Sequence, residues 1–249
     1  MMQNDELKLK NRFEELASRT SDRGYYSYSE FLTSAEQDTL CRLRLTVPFT
    51  LEGGYPAAER KIAVFGSQYL CGYEESTPIC SLSIVPTSPK FADELNHRDF
   101  LGSLMGLGIR REILGDIIIS ENRGFLFCLD SIADYIIESL TQVKHTTVLV
   151  SRIETPPLSA TQLPEATALI VASERLDAVI AAVYKLSRSE SQHLFEQKKV
   201  FVNSRTEESL SFTLDAGDMV SVRGFGRFIY EGTEKETRKG RLLINVRIF

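Results

Sequence analysis

Ser173-Glu174-Arg175-Leu176-Asp177-Ala178-Val179-Ile180-Ala181-Ala182-Val183-Tyr184-Lys185-Leu186-Ser187-Arg188-Ser189-Glu190-Ser191-Gln192-His193-Leu194-Phe195-Glu196-Gln197-Lys198-Lys199-Val200-Phe201-Val202-Asn203 is the stretch on which the reading of this chain turns. Leu176, Val179, Ile180, Val183 and Leu186 recur at i, i+3, i+4, i+7 and i+10, one face of a helix. Ser187 and Glu190 have capping-box spacing, so a second helix starts within a residue or two of the end of the first. So short a connection makes the helices cross, with Leu194 and Phe195 meeting the first apolar face. Lys199-Val200-Phe201-Val202-Asn203 then alternates as a strand.

The polar residues left over point to anionic partners. Arg175 stands at the start of the first helix, and Arg188 with Ser189 at the start of the second. Lys198 and Lys199 end the second helix, and Asn203 closes the strand. Continued as one helix, positions 188, 192 and 199 fall within about 40° of one another, which puts Arg188, Gln192 and Lys199 on one side. Cations and hydroxyls at helix starts suit phosphate oxygens, because free N–H groups point there too.

Charge supports this weakly. The chain of 249 residues has a net charge of −5, but 173–249 hold 13 Lys and Arg against 11 Asp and Glu, or +2. The remaining 172 residues hold 16 against 23, or −7. Such asymmetry marks a localised interaction surface. With 43% hydrophobic and 25% charged residues, the composition is that of a soluble globular protein of two or three small domains. No apolar run approaches a membrane span, and the polar start Met1–Lys10 does not read as a secretory signal. Cys41, Cys71, Cys80 and Cys128 lack CxxC spacing, so reduced and mostly buried thiols of a cytoplasmic protein are expected, with no zinc site.

Upstream, Leu9, Phe13, Leu16 and Ala17 follow helical spacing, and Thr33 with Glu36 caps a second helix ahead of Leu40 and Leu43. Gly53-Gly54 marks a turn before a short strand over 61–65, giving a small α/β unit that ends near 71–77. Residues 79–85 read as a strand, 99–107 as a helix closed by Gly108, and 116–120 with 124–129 as strands joined by Glu121-Asn122-Arg123. Asp130 can cap a helix with Ile132, Tyr135, Ile136 and Leu140 on its apolar face, and 148–150 supply a last strand. The order β-α-β-β-α-β is that of a ferredoxin-like unit. Thr155-Pro156-Pro157-Leu158-Ser159 breaks the chain, and with Leu169–Ala172 reads as the connection into the last domain.

The C-terminal stretch resembles the S4 RNA-binding domain. The family pattern is matched in order by Arg175-Leu176-Asp177, Ser187-Arg188-Ser189, Lys199-Val200-Phe201-Val202-Asn203 and Asp218-Met219-Val220-Ser221-Val222-Arg223-Gly224. Lys198-Lys199 departs from it where the family often has Gly before the strand. Gly53-Gly54-Tyr55, Glu59-Arg60, His97-Arg98-Asp99-Phe100-Leu101-Gly102, Gly106-Leu107-Gly108-Ile109-Arg110-Arg111-Glu112 and Gly115-Asp116-Ile117 resemble the bacterial YlmH family. That likeness covers nearly the whole chain. It implies an α+β protein of three small domains: an N-terminal α/β unit over 1–75, an RRM-like middle domain over 76–160 and an S4 domain over 168–249. It also implies rRNA and tRNA as partners on the large ribosomal subunit, including one that still carries peptidyl-tRNA, with no cofactor, small-molecule substrate or membrane. The expected RNA-binding residues are Arg175, Lys185, Arg188, Ser189, Gln192, Lys198, Lys199, Asn203, Arg205, Arg223 and Arg227.

Other features of the sequence have plain structural readings. Arg175-Leu176-Asp177 superficially matches the Arg-Leu-Asp of pseudouridine synthases, but lacks their Thr/Ser-Gly continuation, so Asp177 reads as a first-turn acid. Gly102, Gly106 and Gly108 form no nucleotide fingerprint and read as close helix packing with a C-cap. Arg110-Arg111 either touches RNA or lies in a solvated loop, and Asp116 is a lone acid. His97, His145 and His193 are scattered, so no metal or triad constellation is expected. Tyr25, Tyr26 and Tyr28 read as packing residues rather than base stackers, whereas Phe225 between Arg223 and Arg227 can stack. Lys235, Arg238, Lys239 and Arg241 form either a phosphate contact or a solubilising turn. An RNA-modifying enzyme and an adaptor, the latter linked to cell division, stand as the alternatives.

Overall fold

The computed structural model describes residues 2–157, 163–238 and 240–249. The chain divides into two compact units, residues 1–162 and 163–249.

The first unit opens with α1 (Met2–Arg23), whose Phe13 and Ala17 are buried as their spacing predicts. The Thr33/Glu36 capping box starts α2 (Ser34–Cys41). Around these lies a three-stranded sheet of β1 (Ser27–Tyr28), β2 (Phe49–Glu52) and β3 (Ile62–Phe65), in the order β1-β3-β2. The sequence shows only β3, a continuous apolar run whose four residues are all buried. A one-turn α3 (Gln68–Cys71) follows.

The same unit holds a five-stranded sheet, built from β4 (Ile79–Pro86), β5 (Leu114–Ser120), β6 (Arg123–Leu129), β7 (Gln142–Val143) and β8 (Thr146–Ile153). Its order, β5-β6-β4-β8-β7, is the ferredoxin-like arrangement with a short edge strand added. Both residues of the β5–β6 turn, Glu121 and Asn122, take positive φ, the twist that a tight hairpin needs. Helices α4 (His97–Gly106) and α5 (Asp130–Ser139) cover one face, where Leu82, Ile84, Phe100, Leu104, Leu126 and Ile136 are fully buried.

Three local expectations need correction. Asp130 does not cap α5: Leu129 holds the cap position without a side-chain bond, and the Asp130 carboxylate pairs with Arg152 instead. Gly102 and Gly106 pack against nothing, since an added Cβ would meet no atom within 4 Å; only Gly108, at φ +79°, plays its helix-ending part. Of the thiols, Cys80 and Cys128 are buried, but Cys41 is exposed.

The second unit is a six-stranded antiparallel sheet packed on two helices. Its strands are β9 (Ala166–Val171), β10 (Val200–Val202), β11 (Arg205–Thr206), β12 (Met219–Val222), β13 (Gly226–Glu236) and β14 (Leu242–Ile248), ordered β11-β10-β12-β13-β14-β9. Helices α6 (Leu176–Tyr184) and α7 (Arg188–Glu196) close a core of Leu176, Val179, Ile180, Phe195, Val200, Val220, Phe228 and Ile244. Leu169–Ala172 is not a connection: Ala166–Val171 pairs with β14 along its full length as a strand. Leu158 and Ser159, from the Pro-rich break, lie outside the described residues.

Candidate nucleic-acid interface

The corner between α6 and α7 collects cations by simple backbone geometry. Lys185 ends α6 in the left-handed conformation (φ +54°), which turns the chain at once into α7. The Ser187/Glu190 capping box starts that helix, with Ser187 N–H donating to Glu190 Oε2 at 2.8 Å. Ser191, fully buried, donates from Oγ to the Asp177 carbonyl at 2.8 Å and locks α7 across α6. Lys185, Arg188 and Ser189 are thereby left exposed at the corner, with Gln192 half-buried beside them. Among the described residues, neither Lys185 nor Arg188 meets an acidic partner.

The other expected residues divide into committed and accessible groups. Arg175 is half-exposed, and its Nε and Nη2 both donate at 3.0 Å to the buried Asp177 carboxylate, which holds the guanidinium still and raises its pKa. Asp177 is therefore more than a first-turn acid. Buried, fork-paired and bound to the Ala178 N–H, it lacks the exposure a nucleophile needs. Lys198 takes φ +52° where the family often has Gly, so a lysine fills the left-handed position, and its ammonium pairs with Glu208 at 2.9 Å. Helix α7 ends at Glu196, so Lys199 lies just ahead of β10 and does not share a helical side with Arg188 and Gln192.

Asn203 is spent inside the domain. It turns β10 into β11 at φ +48°, its Nδ2 donates to Asp218 Oδ1 at 2.8 Å, and its Oδ1 accepts from the Met219 N–H at 3.0 Å. Arg205 is half-buried on β11.

Two cation–ring pairs that residue order does not reveal lie on the sheet. The Arg223 guanidinium sits 5.4 Å from the centre of the Phe201 ring, and that of Arg227 sits 4.6 Å from Phe249. They border an open hollow of about 600 Å³. Phe201 could have been found from alternation, since it is the outward residue between buried Val200 and Val202. Phe225 stays exposed at the hairpin tip, with its ring 5.4 Å from that of Tyr184. Of the C-terminal run, Lys235 lies on β13 beside Glu234, and Arg241 follows the β13–β14 turn; Lys239 lies outside the described residues.

The first unit uses its aromatics differently. Phe127, fully buried, points from β6 away from α4 and α5 and joins Phe31, Ile62 and Val64. Tyr55 stacks on its ring at 4.8 Å and 22°. A bulge between Leu114 and Ile117 re-aims Asp116, which accepts from Tyr55 Oη at 2.8 Å, from Glu59 N–H at 2.7 Å and from Arg60 N–H at 3.2 Å. Burial raises the Asp116 pKa even so. Asp116 is thus no idle acid but a clasp between the 55–60 loop and β5.

Arg111 does not extend freely into a solvated loop. Its Nη1 donates to the Leu114 and Gly115 carbonyls, and burial pushes its pKa down to about 10. Arg110 pairs with Glu30. Tyr26 bonds the Tyr73 carbonyl and meets its ring edge-on, which fits the packing role. Among the described residues, no group of three or more His, Cys, Asp or Glu side chains could hold a metal ion.

Residues 79–156 match the family model described as "Putative RNA-binding domain in YlmH", and residues 174–220 match the S4 domain model. A Bacillus subtilis relative, Ribosome-associated protein quality control protein P2, is 33% identical over 222 residues, which cover 86% of this chain and 83% of the relative. This chain belongs to the YlmH family. The solved structure of cell division protein ylmH from Streptococcus pneumoniae superposes with a TM-score of 0.50 at 19% identity, covering 62% of this chain and 93% of that one; at that identity it speaks for the fold alone. The S4 match of this YlmH-family chain spans α6, α7, β10, β11 and the start of β12, the elements that carry Lys185, Arg188 and Phe201.

Proposed function

We propose that this protein is a non-catalytic RNA-binding factor of the cytoplasm that grips rRNA or tRNA on the large ribosomal subunit through the α6–α7 corner. The observation that carries the reading is Lys185 and Arg188, exposed at the start of α7 without acidic partners among the described residues, inside an S4 match. Phosphates gain there from both cations and from the free N–H groups of the helix start. The name of the B. subtilis relative, a ribosome-associated quality control protein, supports a ribosomal site. The subunits gripped would include ones that still carry peptidyl-tRNA. Segments 1–75 and 76–160 would orient the module, and 168–249 would hold the RNA.

Arg175 and Arg205 extend the basic surface, and Ser189 and Gln192 add hydrogen bonds; Lys199, Arg223 and Arg227 contribute from the sheet face turned away from the helices. Asn203 supports the fold of that surface, and Lys198 contributes only if it exchanges Glu208 for phosphate.

Co-sedimentation with purified large subunits over a salt series tests the reading. Binding should fall steeply with salt, by about 0.7–0.9 in log–log slope for each phosphate neutralised. Arg188→Glu should weaken it at least about tenfold and flatten the slope by about one such step. Insensitivity to salt or to Arg188→Glu would end the assignment.

A further inference from the structure

The face of the C-terminal sheet turned away from α6 and α7 carries a second group of cations and rings, unused by the corner. Phe201, Ser221 and Arg227 lie side by side across β10, β12 and β13, in the pairs Phe201↔Ser221 and Ser221↔Arg227. Their neighbours Val200, Val202, Val220, Val222 and Phe228 are buried on the helix side, so these three point outward. Lys199, two residues before Phe201, falls on the same outward face by alternation. Arg223 N–H donates to the Lys199 carbonyl at 2.9 Å, which holds together the two cationic residues just before β10 and just after β12.

The hollow of about 600 Å³ on this face is walled by Phe201, Ser221, Arg223, Gly224, Arg227 and Phe249, with no Asp or Glu side chain in its lining. Further along the same face, Glu231 is already paired with Arg247.

The geometry points to this hollow as a binding site for one unpaired nucleotide of an RNA strand, its base laid on an arginine–phenylalanine pair and its phosphate held by the neighbouring cations. A guanidinium stacked on a ring presents a flat cationic plane, which takes a base by stacking and a phosphate by charge. A bare anion would have no use for two phenylalanines, and an acidic peptide has no flat face to stack. A base inside a duplex is already stacked on both sides, so only an unpaired one fits. The inference rests on the RNA-binding reading above and adds to it a site on the opposite side of the sheet.

Full-length protein should be titrated with a short fluorescent oligoadenylate, an abasic strand with the same number of phosphates, and a blunt RNA duplex. Phe201→Leu, which keeps an apolar side chain on the strand, should weaken oligoadenylate roughly 5- to 150-fold. It should leave the abasic strand and the duplex unchanged. Arg223→Gln, at an exposed position, should weaken oligoadenylate as well, and it decides the matter alone if Phe201→Leu fails to fold. Unchanged oligoadenylate binding in both variants, or equal losses on all three probes, would overturn the site. A phosphorylated peptide that displaced oligoadenylate at equal concentration would overturn the choice of ligand. The corner reading fails separately: Arg188→Glu would then leave subunit binding intact whatever the Phe201 variant does.

Discussion

The five-stranded sheet of the first unit and the six-stranded sheet of the second each lay two helices on one face and aromatic rings on the other. On the first, Phe127 is fully buried beneath Tyr55, and Gly54 and Gly115 come so close that an added Cβ would stand 2.5 Å from Phe127 and 2.7 Å from Phe31 respectively. On the second, Phe201 and Phe249 keep contact with solvent and meet guanidinium groups instead of rings. An aromatic covered by other apolar groups contributes to stability; one that keeps contact with solvent beside a guanidinium stays available to a ligand. Ferredoxin-like topology alone therefore does not supply a base-stacking sheet, because the chain's own 55–60 loop can occupy that face.

The contrast is most open to attack at Phe127. Phe127→Ala should cost about 3–5 kcal/mol, since it empties a fully buried ring site, and urea unfolding of the full chain reads the loss. A cost under ~1 kcal/mol would mean that the ring is not the keystone of the covered face. Next comes Tyr55→Phe, which keeps the stack and removes one of three donors to the half-buried Asp116 carboxylate. About 1–3 kcal/mol should be lost, and Tyr55→Phe combined with Asp116→Asn should cost less than the two separately.

On the open sheet, Phe201→Leu should change stability by only about 1 kcal/mol, because the ring is half-exposed. A loss as large as that at Phe127 would abolish the distinction between the two faces. The smallest effect belongs to His97, at the start of α4. Partial burial and the charge of Arg111 hold its pKa below the ordinary 6.5. The unfolded chain takes the proton first, so as pH falls below 6.5 the folded state loses a little stability, and His97→Gln should remove that dependence. Thermal midpoints of the two proteins at several pH values between about 5 and 7 would show it.

The C-terminal helices were legible because local signals agreed there: periodicity, a capping box and an abrupt turn all lie within residues 176–196. The α4 and β4 positions were legible for the same reason. The strand Ala166–Val171 was hidden beside a Pro-rich break, since its partner β14 lies some seventy residues later. The roles of Asp116 and Arg111 were equally hidden. A lone carboxylate says nothing of whether backbone N–H groups from a distant loop will close around it, and a lone guanidinium says nothing of whether the carbonyls just after it will fold back onto it. Asn203 shows the converse: its place in the motif was plain, but its bonds run into the domain through Asp218 and Met219.

By itself, the sequence determined that this chain ends in crossed helices presenting Lys185, Arg188 and Ser189, because caps, turns and apolar spacing are local properties of neighbouring residues. It also carried enough ordered motif to place the chain in its family. Only the tertiary structure decided which of its cations are already spent and which of its two aromatic sheet faces stays open. Those outcomes depend on partners brought together across long stretches of chain, and solvent access is a property of the assembled surface rather than of any segment within it.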